Sequence, residues 1–343
     1  MASGSPTNPK DKAPANRLGR RIAIGFAAIA AALVLLALAL LSWEERNFQA
    51  PGSAAGVTVL IVPQGAGLTT IANDLERAGI VESARLFRLG VVRRGAASAL
   101  KAGEYEFPTH ASMKDVLDVL VGGKSILHRV TAPEGLTSEM IVEALGADPT
   151  LTGDVAELPA EGSLLPETYL FTRGTTRAEL ILRMAKAQAD LVAALWPQRK
   201  PDLPYLTARD AIVLASIVEK ETSIASERPR IAAVFVNRLK RGMKLQSDPT
   251  IIYGLTKGRP LGRGLRASEI AKPNPYSTYQ IDGLPPTPIC NPGRAAIEAV
   301  LNPPDSDELY FVADGTGGHA FAGTPAEHAR NVARWRGIER NGQ

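Results

Sequence analysis

The chain has 343 residues, room for two modest domains at about 100–200 residues each. Hydrophobic residues make up 45% and charged residues 22%, a globular balance that excludes bulk disorder. The net charge of +4 lacks the dense basic runs of a nucleic-acid binder. A single cysteine, Cys290, excludes an internal disulfide framework, and the four histidines (His110, His128, His319, His328) include no pair at metal-binding spacing. No metal or other cofactor is expected.

The N-terminus carries the strongest physical signal. Residues 1–21 read as a polar cytoplasmic tail rich in Pro, Ser, Lys and Asn. Residues 22–42, from Ile22 to Ser42, are uncharged; at about 1.5 Å rise per residue they cover roughly 31 Å, enough for a hydrocarbon core of about 30 Å. Lys10, Lys12, Arg17, Arg20 and Arg21 precede the segment, so the positive-inside bias keeps the N-terminus cytoplasmic and exports residues from about 43 onward. Trp43 fits an interfacial anchor. The alternative is a cleaved secretory signal, but its apolar region usually runs about 7–15 residues, and no clean A-x-A site closes this one.

Residues 43–56, containing the small-residue run from Asn47 to Gly56, read as a linker. A small α+β module is expected over 57–125. It has a strand at Val57–Val62, a helix at Thr69–Ala78 and a second helix after Ser83. A short strand at Gly103–Phe107 and a helix from Ser112 to Val121 follow, the latter with Asp115 three residues past its cap.

From 126 the pattern changes. A strand near His128–Thr131 leads to a helix at Ser138–Leu145, then a Gly/Pro-rich stretch over 146–168. Helices are expected at about Thr176–Leu195, Thr207–Glu221 and Pro229–Arg241. The remainder to Pro304 is dense in Gly and Pro, the kind of loop-rich ground on which sites are built.

The helix ending at Glu221 is nearly apolar from Ala211 to Val218, then carries Glu219 and Glu221 in its last turn. At about 100° per residue, Arg209, Ser216 and Lys220 share its polar face, while both acids lie on or beside buried faces. Burial is costly for an anion and raises a carboxyl pKa. Such a carboxyl can stay protonated near neutral pH and deliver a proton to a leaving oxygen, as glycosidic cleavage requires. The competing reading pairs one or both acids with Arg228, Arg230 or Arg238. Periodicity does not choose between Glu219 and Glu221.

Downstream, Leu245 to Thr250 gathers Gln246, Ser247 and Asp248 in a turn, and Tyr276 and Tyr279 add aromatic surface. These residue types suit a sugar site, and turns use them anyway. Other chemistries find less support. Ser163 lacks the G-x-S-x-G context. Cys290 reads as a small buried residue. The run Gly315 to His319 reads as a tight turn before a strand, since it lacks the lysine of a phosphate loop.

Several longer motifs then converge. Ala215 to Thr222 (ASIVEKET), Ser226-Glu227-Arg228, Val234 to Leu239, Met243 to Thr250, Gly283 to Pro286, Asn291-Pro292-Gly293 and Tyr310 to Gly315 through His319 and Phe321 stand in order. Together they resemble the endolytic murein transglycosylases of the YceG-like family, over roughly 57–335 plus the anchor. The resemblance implies an α+β chain: one N-terminal transmembrane helix, a LysM-like α+β module over 57–125 and a mixed α/β catalytic domain over 126–343. It selects Glu221, followed by a small hydroxyl residue, as the catalytic acid/base. It implies substrate contacts from Gln246, Asp248, Tyr279, Glu219 and Asn237.

The implied reaction is that of a lyase. It cuts the β-1,4 bond between N-acetylmuramic acid and N-acetylglucosamine and closes a 1,6-anhydro ring. The implied setting is the cell inner membrane with the catalytic domain in the periplasm, beside nascent strands and the peptidoglycan synthases (penicillin-binding proteins) that make them. No nucleic-acid partner is expected. The sequence departs from the family pattern at Leu165, Glu167, Ser277 and Thr287, positions that bear on substrate contacts and not on Glu221. The alternatives are a hydrolytic muramidase and a non-catalytic wall-binding scaffold.

Overall fold

The computed structural model describes residues 16–341, so most of the expected tail, including Lys10 and Lys12, lies outside the described residues. The first element, α1 (Asn16–Gln49), contains the whole apolar segment, and every residue from Arg20 to Trp43 is exposed. By length and composition it can cross a membrane.

The helix does not stop where a linker was expected. It continues through residues 43–49 because Glu44 and Phe48, one turn apart, are both buried against a helix of the following module. A linker begins only after Gln49.

The chain divides into two compact units, Met1–Ile126 and Leu127–Gln343. In the first, β1 (Thr58–Val62) pairs antiparallel with β2 (Gly103–Phe107), Thr58 facing Phe107. Between them run α2 (Leu68–Arg77) and α3 (Ala84–Arg93), and α4 (Met113–Gly122) follows. Ser112 and Asp115 cap α4 reciprocally, and Gly123 ends it at φ 67°. Ile71, Leu75, Phe87, Val91, Tyr105, Phe107, Val116 and Leu120 form the core.

In the second unit, β3 (Leu127–Thr131) pairs antiparallel with β4 (Thr168–Thr172). The helices α5 (Ser138–Gly146), α6 (Arg177–Leu195), α7 (Ala208–Glu221) and α8 (Arg228–Lys240) lie where periodicity places them. Three short helices follow: α9 (Asp248–Thr256), α10 (Ala267–Ala271) and α11 (Arg294–Leu301). A hairpin of β5 (Tyr310–Ala313) and β6 (His319–Ala322) precedes α12 (Pro325–Asn341). Every named strand pair is antiparallel, so this unit is α+β and not the mixed α/β domain expected.

The core around the site is built from α7, α8 and α11, with Leu214, Ile217, Ile231, Phe235, Ile297 and Val300 all buried. Sequence periodicity misses α11: at eight residues between Pro292 and Pro303 it is too short to show a repeat. It also misses α9, because Asp248-Pro249 reads as a turn although Pro is well tolerated in a first helical turn.

Candidate active site

Glu221 is the last residue of α7. The preceding run, Ala211 to Val218, is buried without a break. Thr222 leaves the helical region (φ −145°), and its hydroxyl accepts the Ile224 N–H at 3.0 Å, turning the chain away. The Glu221 carboxyl is thus half-buried at the negative end of a helix dipole, a poor place for an anion. Burial pushes its pKa up to about 7. A hydrogen bond from Ser247 opposes the shift, the charge of Asp248 reinforces it, and His319 and Arg238 pull it back.

Ser247 is clamped for this task. Its N–H donates to Thr278 Oγ1 at 2.9 Å, and its carbonyl accepts the Thr250 hydroxyl at 2.6 Å. Its own hydroxyl donates to Glu221 Oε1. Just before it, Gln246 holds φ 50°, a left-handed conformation that costs a non-glycine residue on the order of 1–3 kcal/mol. The Gln246 N–H donates to the Thr278 carbonyl at 3.1 Å, and its side chain is exposed.

The two acids of α7 have different partners. Glu219 Oε2 accepts the Gly293 N–H at 2.9 Å, and Oε1 faces Arg228 at 3.5 Å. Burial still raises its pKa, opposed by the Gly293 N–H. A Cβ at Gly293 would meet the Glu134 carboxylate, which would have to swing aside. Glu134, Gly135, Glu219, Lys220, Glu221, Thr222, Ser223 and Arg228 line one cavity of about 490 Å³. Ion pairing therefore applies to Glu219 and not to Glu221. Arg230 pairs with Glu308, and Arg238 donates to the Leu309 and Leu245 carbonyls, both at 2.7 Å.

Asp248 and Tyr279 come together beside Glu221: the Tyr279 hydroxyl donates to Asp248 Oδ1 at 2.8 Å, and the charges of Asp248 and Glu221 act on one another and on Tyr279. Asn237 is elsewhere. Its amide donates to the Ser306 and Glu308 carbonyls at 2.6 and 3.0 Å, and it lines a separate cavity with Lys200 and Lys240. The structure thus makes Asn237 a brace for the segment entering β5. Ser216 also departs from its expected place on a polar face. It is buried, donating to Val213 O and accepting the Ile289 N–H, because the 289–291 segment covers that side of α7.

Sequence reasoning missed one further pair. Glu227 accepts the His319 backbone N–H at 2.8 Å and its Nδ1 at 2.7 Å. A Cβ at Gly318 would sit 2.7 Å from Glu227 Oε1, so a side chain there would push the carboxylate from its present position. Both residues stand in quoted motifs, but 92 positions separate them, and no local pattern joins them. Chemically, the site presents a carboxyl that keeps a substantial protonated fraction near neutral pH, a hydroxyl that stabilises its conjugate base, and an adjoining cavity.

A profile of the YceG-like family matches residues 60–334. The chain is 30% identical over 301 residues to the endolytic murein transglycosylase of Bacillus subtilis, a match covering 78% of this chain and 81% of that protein. It is 31% identical over 320 residues to the endolytic murein transglycosylase of Streptococcus pneumoniae serotype 2, covering 79% of this chain but only 57% of that longer protein. The 2.6 Å crystal structure of a YceG-like protein from Listeria monocytogenes matches with a TM-score of 0.50 at 28% identity, covering 80% of this chain and 98% of that one. With the profile spanning most of its length, the protein belongs to the YceG-like family.

Proposed function

We propose that the protein is an endolytic peptidoglycan lytic transglycosylase with Glu221 as its single acid/base. The observation that carries this reading is the raised pKa of Glu221, about 7, beside a cavity and with Ser247 as its hydrogen-bond donor. The names of the Bacillus and Streptococcus relatives point the same way.

In the first step Glu221 gives its proton to the glycosidic oxygen as the bond from muramyl C1 to that oxygen breaks. The Ser247 hydroxyl then holds the resulting carboxylate. In the second step this carboxylate takes the proton of the muramyl C6 hydroxyl while O6 attacks C1, closing the 1,6-anhydro ring. Atoms balance without water. The scheme needs one carboxyl and an intramolecular nucleophile, where a hydrolase needs two working carboxyls. Glu219 is engaged by Gly293 and Arg228, which favours the non-hydrolytic reading. Gln246, Asp248 and Tyr279 are the proposed substrate contacts, with Glu219 supporting the wall of the cavity.

The same reading places α1 in the inner membrane with its N-terminus cytoplasmic and the rest in the periplasm. There the enzyme trims nascent strands beside their synthases. The first unit is read as LysM-like, supported by two helices running between two antiparallel strands.

The test is mass spectrometry of fragments released from purified peptidoglycan by the full chain and by Glu221→Gln. Internal 1,6-anhydromuramyl ends from the wild type alone support the proposal. Reducing ends indicate a muramidase, and no release from nascent, uncrosslinked strands by either protein indicates a scaffold.

A further inference from the structure

Arg228 lines the same cavity as Glu221, and the acid/base scheme gives it no role. It is the first residue of α8, and its side chain is only 9% exposed. This is a poor place for a cation, because burial strips it of water and the positive end of the α8 dipole lies beside it. Its Nε is buried with no hydrogen-bond partner. Among the described residues the side chain makes one hydrogen bond, from Nη2 to Glu219 Oε1 at 3.5 Å. Glu134 Oε2 stands 3.8 Å from the same nitrogen. Charge-assisted bonds normally close to about 2.7–2.9 Å, so the two carboxylates hold the guanidinium in place without saturating it. Glu219 is held back by the Gly293 N–H, which binds its other oxygen at 2.9 Å. Local rules broken in this way are kept where function uses the group.

Glu219 and Glu221 stand two residues apart on α7, and at about 100° per residue they leave it about 200° apart. The cavity touches both, so it wraps the C-terminal end of that helix. The reacting carboxyl, bound by Ser247, is on one side, and the guanidinium facing Glu219 is on the other. At about 490 Å³ the cavity falls within the range of small-molecule sites, about 300–1,000 Å³. Its charges decide what the unused donors accept. Glu134 and Glu219 face Arg228, and Lys220 donates to the Gly135 carbonyl at 3.2 Å, so two carboxylates balance two cations on this wall. An anionic ligand group at Arg228 would meet both carboxylates. A neutral carbonyl oxygen accepts guanidinium N–H bonds without that repulsion.

We propose that Arg228 is a substrate-binding residue that takes an amide carbonyl oxygen of the glycan strand beside the scissile bond, and so sets a preference for strands that carry it. The inference rests on the reading of Glu221 as the acid/base of a peptidoglycan-cleaving enzyme. Two groups of such a strand supply the carbonyl: the 2-acetamido group of each sugar, and the lactyl amide where a peptide stem joins a muramyl residue. Held at Arg228, that oxygen fixes the sugar on the far side of the cavity and turns the glycosidic oxygen towards Glu221. The proton itself stays under the control of the groups that act on Glu221, which are Ser247, Asp248, His319 and Arg238.

The test compares the full chain with Arg228→Gln on three preparations of uncrosslinked strands: intact, de-N-acetylated, and stripped of peptide stems. The rate of release of new strand ends gives kcat and KM on each. The wild type is expected to lose about tenfold or more in kcat/KM on the preparation that lacks the recognised carbonyl. Arg228→Gln is expected to lose as much on intact strands and nothing further on that preparation. A preference that disappears for de-N-acetylated strands assigns the acetamido group, and one that disappears for stem-free strands assigns the lactyl amide. Arg228→Gln together with Glu219→Gln removes the cation and its buried partner at once, and repeats the comparison with no unpaired charge if the single variant fails to fold. A variant weakened by the same factor on all three preparations overturns the proposal, since a purely structural arginine gives that pattern. So does a wild type that cuts all three equally well. In both cases loss of release in Glu221→Gln leaves the proposed function standing, whereas a wild type that releases no ends from any preparation overturns that function and the role of Arg228 together.

Discussion

Ser247 occupies the N-cap of α9 yet caps no backbone N–H of that helix; its hydroxyl hydrogen goes to Glu221 on α7. Serine at an N-cap usually stabilises its own helix by about 1 kcal/mol. Here the donor instead stabilises the anion that forms when Glu221 releases its proton. The rest of the first turn compensates: Thr250 binds the Ser247 carbonyl, and Thr278 accepts its N–H.

The consequence for Ser247→Ala is directional. A hydrogen bond to a charged group contributes about 1.5–3 kcal/mol, and one pKa unit corresponds to about 1.4 kcal/mol. Loss of the hydroxyl removes a cause that lowers the Glu221 pKa, so the alkaline limb of the kcat profile moves up by about one pH unit, and kcat at pH 6 falls roughly tenfold. A pH–rate series on released muropeptides reads both. A limb that stays in place would show that Ser247 does not act on the working proton.

Asp248→Asn makes the opposite prediction from a neighbouring position. The Asp248 charge raises the Glu221 pKa, and Asn still offers an oxygen to the Tyr279 hydroxyl. The alkaline limb therefore moves down, by less than one pH unit because Asp248 is exposed and screened. An upward shift in the same pH–rate series would contradict the electrostatic account of the site.

Glu221 also ties stability to pH. Its folded pKa, about 7, lies above the ordinary value of 4.5, so the folded state holds the proton more tightly than the unfolded chain. The contribution is present in full below about pH 4.5 and is lost as pH rises through 7. Glu221→Gln, which mimics the protonated form, matches the wild type at pH 4–5 and exceeds it by up to about 3 kcal/mol at pH 8. Thermal unfolding at the two pH values measures this. A variant no more stable than wild type at pH 8 would mean that Glu221 pays little for its burial.

The sequence alone determined a good deal. An uncharged run of about 21 residues after a cluster of arginines specifies a helix long enough for a bilayer. The apolar run from Ala211 to Val218 dictates a buried α7 with its acids crowded into the last turn. Capping signals at Thr207/Asp210 and Ser112/Asp115 mark two helix starts within a residue, because the bonds that form them are local.

Only the tertiary structure decided what long-range packing controls. It engaged Glu219 with Gly293 and Arg228, left Glu221 to Ser247, spent Asn237 on the backbone before β5, and brought Glu227 to His319. It also carried α1 through the expected linker, since Phe48 finds its partner in Phe87, 39 positions away by sequence number. Helical periodicity gives the direction in which a side chain leaves its helix. It says nothing of which distant residue waits there, and the charge state of a buried carboxyl depends on that neighbour.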